Sequence, residues 1–239
     1  MQVTSINNEL AQLRDVVDAN AVKKNELGSM IKATIQSMAD EREAEIQAAL
    51  YQDWPLAKDD TGGRRIYGNV DARFTIVEYS DLECPYCKKF HETPKKVVEA
   101  SNGNVNWQYK HLPLDFHNPA AKQQAVAAEC VREQKGNKGF WVFVDEVFKR
   151  SGSNGQGVSD LPKLINEVGA DIDQLQTCMR GGRATQIVER DVQRANDLNI
   201  RSTPSSFVVD NTTGISVPLS GAQPYEAVVA IIRRLAAKG

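Results

Sequence analysis

The sequence predicts an α/β domain with a block of helices inserted into it, preceded by an all-helical segment. Three observations carry this. Phe74–Tyr79 and Asn106–Leu112 are apolar runs of strand character with a helix-patterned stretch between them, the order of a βαβ unit. Residues 117 to 199 then show only helical spacing. Residues 4 to 52 hold no Pro, no Cys and no aromatic before Tyr51, and their apolar residues step by threes and fours.

The chain has 239 residues, enough for one large domain with an appendage. Its 29 Lys+Arg nearly balance 31 Asp+Glu, and no basic stripe or acidic tail stands out, which argues against nucleic acid and anionic membrane as partners. No apolar run approaches the length of a membrane span. Met1 to Ser5 lack a basic region followed by an apolar one, so no signal peptide is visible. That fits a cytosolic protein or a mature exported form with a replaced start. Four cysteines, two of them a close pair, lean towards an oxidising compartment.

In the first segment, Ile6, Leu10, Leu13 and Val17 form one stripe, and Leu27, Ile31 and Ile35 another, with Met30 and Met38 on or beside it. A break is expected at Asn20 or Gly28. Such narrow stripes bury either against their own domain or against a second helix. The second reading is preferred, making residues 1–52 a dimerisation arm. Pro55, Gly62, Gly63 and Gly68 punctuate the connecting chain from 53 to 72. The linker proper is set at 53–65 and the catalytic domain at 66–239, with Trp54 and Tyr67 pinning its ends.

The centre of the chain is Cys84-Pro85-Tyr86-Cys87, placed where the Phe74–Tyr79 strand hands over to a helix predicted over Lys88–Ala100. Pro85 suits the first helical position, because its missing N–H has no partner there in any case. Cys84 is then the N-cap, where unpaired N–H groups and the helix dipole favour a thiolate. Cys87 lies one turn on, on the same side, able to close a redox-active disulfide with Cys84. A zinc site would need two further ligands, and Cys130 and Cys178 are distant singletons; His91 offers a third ligand but nothing supplies a fourth. Two inert core cysteines remain as the other alternative, and the strand–CxxC–helix context favours redox chemistry over both. No metal or cofactor is expected.

The insertion spans about 117–199. It includes an Ala-rich helix over Ala120–Glu133, a bulky apolar face at Phe140, Trp141, Val142, Phe143, Val147 and Phe148, and a Gly-rich loop at Ser151–Gly157. Shorter helices follow through Leu161–Val168, Ile172–Met179 and Ile187–Leu198. Ser206–Asp210 and Ile215–Leu219 read as a hairpin about a turn at Asn211–Gly214, and Gln223–Ala237 as a closing helix. Trp141, Phe140 and Phe143 read as helical core, and His91, His111 and His117 as packing or surface residues. Glu78 shares a strand face with Phe74 and Ile76. It is assigned as a proton relay to the active-site thiol, with Lys110 of the neighbouring strand balancing its charge. The alternative is that both are exposed strand-end charges.

This order of elements, with Thr203-Pro204 before the hairpin, resembles the thioredoxin fold with a helical insertion. The stretch from Tyr67 to Phe90 is very similar to the active-site signature of the Dsb group of bacterial disulfide oxidoreductases and isomerases. The likeness covers about residues 66 to 238. It implies that Pro204 is cis and lies against the cysteine pair, that Thr203 and Pro204 hold the substrate backbone beside Cys84, and that a buried acid and base occupy positions 78 and 110. Side-by-side packing of the family's insertion helices would allow a structural Cys130–Cys178 disulfide; two free buried thiols are the alternative. Tyr86 and Thr203 look more like the isomerases than the oxidase, although CPYC also occurs in glutaredoxins. The dimeric isomerases carry a long extra N-terminal segment too, theirs mostly β-rich.

The expected function is therefore a periplasmic disulfide isomerase, similar in its helical arm to a plasmid-type enzyme. It would reshuffle wrong disulfides in secreted proteins through a Cys84 mixed disulfide. Cys87 is the resolving thiol and Tyr86 a rim residue in reach of substrate. The implied partners are misfolded secreted proteins, a membrane redox protein that resets the cysteines, and a second copy of the chain. A monomeric disulfide oxidase and a holdase-type chaperone are the alternatives.

Overall fold

Unbroken three-and-four spacing without proline gives one long helix, α1, over Gln2–Gln52. The computed structural model describes residues 2–238, with side chains from 10 to 20 and from 23 to 238. Ile6 of the first stripe therefore lies outside the described side chains. Neither expected break occurs: the helix runs through Asn20 and Gly28. A glycine in a helix interior costs only about 1 kcal/mol relative to alanine, which is not enough to stop one of this length. Ser29 Oγ bonding to the Asn25 carbonyl and Gln36 to Asp40 add local support. No helix among the described residues is long and apolar enough to cross a membrane.

Two compact units are distinguished, residues 1–46 and 47–239. The second is built on a five-stranded sheet in the order β1-β3-β2-β4-β5. The strands are β1 (Ile66–Gly68), β2 (Phe74–Ser80), β3 (Val105–His111), β4 (Ser205–Asp210) and β5 (Ser216–Ser220). β2 and β3 are parallel and every other pair is antiparallel.

The predicted helix after the cysteines is two helices, α2 (Pro85–Phe90) and α3 (Glu92–Glu99). Pro94 explains the division: it has no N–H for the carbonyl four residues back, that of Phe90, where α2 ends. The insertion holds α4 (Ala120–Arg150), α5 (Leu161–Glu167), α6 (Ile172–Arg180) and α7 (Arg183–Asp197), and α8 (Tyr225–Ala236) closes the unit. α4 is interrupted at Gly136, whose φ of 70° suits glycine. The break lets the second half of α4 turn Phe140, Trp141, Phe143 and Phe148 into the main core.

Segment 53–65, expected as a linker, is exposed for most of its length but buries Trp54, Ala57, Thr61 and Arg65. Trp54 is fully buried, stacked on Trp141 with centroids 5.3 Å apart, and Trp141 also meets Trp107 at 4.4 Å. Arg65 is buried as well. It donates to Glu129 of α4 (3.0 Å) and to the Tyr109 carbonyl (3.2 Å), and it pairs with Asp191 of α7. Glycine punctuation and polar composition described the path of this segment but not the burial of its few large side chains. At the end of β1, Gly68 (φ 102°) is required, because a Cβ there would come within 2.6 Å of Val98 Cγ1.

Because Trp54 is fully buried against Tyr67 and Trp141, Trp54→Ala will destabilise the protein by about 4 kcal/mol. Urea unfolding followed by circular dichroism measures this. A loss below about 0.5 kcal/mol, as for a surface position, would contradict the packing described.

Candidate active site at the end of strand β2

Cys84 has an extended backbone (φ −81°, ψ 119°) and is the N-cap of α2, with Pro85 at the first helical position. The turn before it closes through Cys84 N donating to the Asp81 carbonyl at 3.1 Å. Both cysteines are free thiols here, and both are buried. Cys84 Sγ lies 3.4 Å from the Thr203 carbonyl, and the Thr203–Pro204 peptide is cis. Residues 84 and 203–204 thus meet although they are far apart in sequence. Tyr86, at the rim, is 66% exposed.

The two sulfurs are driven in opposite directions. Cys84 is lowered to about 6, first because the Cys87 thiol donates to it, and then through Thr203 and the Cys87 and Tyr86 backbone N–H groups, against the cost of burial. Cys87 is pushed well above an ordinary thiol by burial, by serving as donor to Cys84 and by the Glu78 charge. The asymmetry marks one ready nucleophile and one thiol that keeps its proton.

Glu78 is 1% exposed and opposite Tyr109 in the β2–β3 register. Burial raises it to about 7; Ser80 and Trp107 oppose this, and the Cys84 charge adds to it. Glu78 Oε2, Ser80 Oγ and Trp107 Nε1 are buried and have no hydrogen-bond partner among the described residues. Lys110 does not balance this charge. In the register it stands opposite Tyr79, not Glu78, and alternate residues of a strand point to opposite faces. Lys110 Nζ instead pairs with Asp191 at 3.1 Å. One residue of parity separates the expectation from the structure.

Two further acids hold the turn. Asp81, raised by burial, accepts from Leu114 N (2.9 Å), Glu83 N (2.8 Å) and His117 Nδ1 (2.7 Å), and its own N–H lies 3.5 Å from Cys87 Sγ. Glu83, fully buried, accepts from Ser151 Oγ (2.5 Å), Gln124 Nε2 (2.6 Å) and Gly157 N (3.0 Å). Neither acid is singled out by the sequence. Their partners lie in the insertion, and the only local sign is two acids flanking an apolar Leu82. His91, His111 and His117 are all buried, and each lies near a carboxylate: Asp145 (3.6 Å), Glu129 (3.0 Å) and Asp81 (2.7 Å). Among the described residues no group of His, Cys, Asp and Glu is arranged to hold a metal. Cys130 and Cys178 are disulfide-bonded, with Cα atoms 5.8 Å apart, tying α4 to α6.

Two measurements test this electrostatic picture. Alkylation of Cys84 will be half-maximal near pH 6 and flat by pH 8, because its value is lowered to about 6; a free thiol would still be rising there. Since this value lies below that of an unfolded thiol, the thiolate stabilises the reduced fold at alkaline pH, and the contribution is lost as pH falls through about 6. Glu78 has the opposite sign. Raised to about 7, it disfavours the folded state as pH climbs from its unfolded value through 7. Glu78→Gln will therefore stabilise the reduced protein by about 2 kcal/mol more at pH 8 than at pH 5, read by urea unfolding. Equal effects at the two pH values would contradict a buried, high-pKa carboxyl.

The sequence profile of the thioredoxin family matches residues 60–233. The crystal structure of Pseudomonas aeruginosa DsbA2 superposes with a TM-score of 0.65 at 35% identity, covering 72% of this chain and 94% of that one. A thioredoxin-like oxidoreductase from Silicibacter pomeroyi superposes at 0.63 with 25% identity, covering 77% and 96%. A Na(+)/H(+) antiporter, NhaA 3 of Salinispora tropica, is 28% identical over 143 residues, 60% of this chain. The chain spans only 21% of that antiporter's length. A paired thiolate and thiol at a strand-to-helix turn, on a scaffold shared with these proteins, places the chain in the thioredoxin family as a Dsb-type thiol–disulfide oxidoreductase.

Proposed function

We propose that the protein is a periplasmic disulfide isomerase acting as a homodimer. The observation that carries this beyond general thiol–disulfide exchange is the apolar stripe on α1. Leu13, Val17, Leu27, Ile31 and Ile35 are each more than half exposed in the single chain, at spacings suited to a second helix. The Cys130–Cys178 bond supports an oxidising compartment.

In this reading the Cys84 thiolate attacks a substrate disulfide. A mixed disulfide forms and one substrate sulfur leaves as a thiolate. A different substrate thiolate then attacks the mixed disulfide, forming a new substrate disulfide and releasing Cys84 as a thiolate, with no net oxidation. The acidity of Cys84 makes it a good leaving group in this second step. Where no substrate thiol arrives, Cys87 gives its proton to Glu78 and attacks Cys84 Sγ. The substrate leaves reduced and a Cys84–Cys87 disulfide remains for a membrane redox partner to reduce. Thr203 and Pro204 hold the substrate backbone beside Cys84, and Tyr86 meets it at the rim.

A disulfide oxidase is the second reading. It is supported by the same low Cys84 value, since stabilising the reduced form makes the disulfide a stronger oxidant. Refolding of a protein with scrambled disulfides separates the two. Under isomerase action Cys84→Ala is inactive and Cys87→Ala keeps a substantial part of the activity, because the shuffling cycle uses one thiol. Under oxidase action both variants are inactive. Activity that survives Cys84→Ala would point to a holdase. Light scattering on the full chain is expected to give twice the single-chain mass, and a monomer would end the dimer reading.

A further inference from the structure

Six cationic side chains line one depression of about 330 Å³: Arg64, Arg65, Lys110, Arg132, Arg190 and Arg194. Arg64 and Arg65 precede β1, Lys110 lies on β3, Arg132 on α4, and Arg190 and Arg194 one turn apart on α7. The chain as a whole is slightly acidic, with 29 Lys+Arg against 31 Asp+Glu, so this gathering is a product of the fold. None of Cys84, Cys87, Thr203 and Pro204 lines the depression.

Two buried carboxylates, Asp191 and Glu129, serve these cations, and both are fully engaged. Asp191 pairs with Arg65, takes Lys110 Nζ at 3.1 Å on its other oxygen and accepts from His111 N at 3.1 Å. Glu129 accepts from Arg65 and from Arg132 Nε (2.9 Å), with the His111 ring 3.0 Å away. Arg65, Lys110 and Arg132 are therefore held in place. Arg64, Arg190 and Arg194 are exposed, and none of them pairs with a carboxylate among the described residues; Arg64 Nε donates to the Thr61 carbonyl. Three guanidinium groups thus share one depression without a countercharge, an arrangement that repels itself until an anion enters.

We propose that this depression binds a small diphosphate anion. Guanidinium groups present paired N–H donors that match phosphoryl oxygens. A phosphate ester carries about two negative charges at neutral pH, so two linked phosphoryl groups match three uncompensated guanidinium groups more closely than one carboxylate does. The volume falls at the lower end of the range of about 300 to 1,000 Å³ for small-molecule sites. The site is independent of the exchange reaction and stands whether or not the isomerase reading does.

Calorimetric titration of the full-length protein with inorganic pyrophosphate, in low salt where screening is least, tests this. One site per chain is expected. Arg190→Gln and Arg194→Gln, changes at exposed and unpaired positions, are each expected to weaken binding about tenfold. Arg233→Gln, at an exposed arginine of α8 outside the depression, leaves it unchanged. Absence of pyrophosphate binding overturns the proposal. So does equal weakening by Arg233→Gln, which would mean diffuse attraction to the whole surface. Malonate or an acidic peptide binding as tightly as pyrophosphate would assign the depression to carboxylates and overturn it as well.

Discussion

The opposed proton affinities of two neighbouring sulfurs set the chemistry of this protein. The Cys87 thiol favours the thiolate of Cys84, and the same interaction makes its own proton harder to lose. The start of a short helix adds two backbone N–H groups, and the chain before Pro204 closes the other side. The same pair would behave differently on a surface, where water competes for each of these donors. Burial raises the cost of the charge, and the ring of donors offsets it.

The rest of the unit keeps that pair in place. A buried carboxylate is costly unless every oxygen is met. Asp81 and Glu83 meet theirs with groups from the 114–117 turn, Gln124 and the 151–157 loop. Arg65 works in the same way further from the thiols, joining the chain before β1 to α4 and α7 through Glu129 and Asp191. The insertion is therefore electrostatically part of the catalytic unit, although it interrupts the sequence of the sheet.

What the sequence disclosed follows the range of the interactions. The place of Cys84 as N-cap was legible because Pro85 and the flanking strand and helix are within a few residues. Four of the five strands were legible from their apolar runs to within a residue or so, while β1 lay inside the stretch read as connecting chain. Lys110 failed because a side chain's face depends on register, which a single strand does not carry. The burial of Arg65 was not legible because its partners, Glu129 and Asp191, come from distant helices, while the glycines before it spoke only of turns. Gly28 misled in the opposite sense, as a possible stop in a helix that has no proline to end it. Asp81 and Glu83 were invisible for the reason that hid Arg65: a paired buried acid and a solvated one look alike in a sequence.

The anchoring of those two acids also limits how portable the motif is. Transplanting Asp81 through Cys87 into a smaller relative without the helical block would leave Asp81 only the Glu83 N–H within the turn, and Glu83 none of its three donors. Glu83 would then be an unpaired interior charge, a defect that costs about 3 to 5 kcal/mol. A designer moving this redox centre would have to take the 114–117 and 151–157 segments along with it, or replace both acids first.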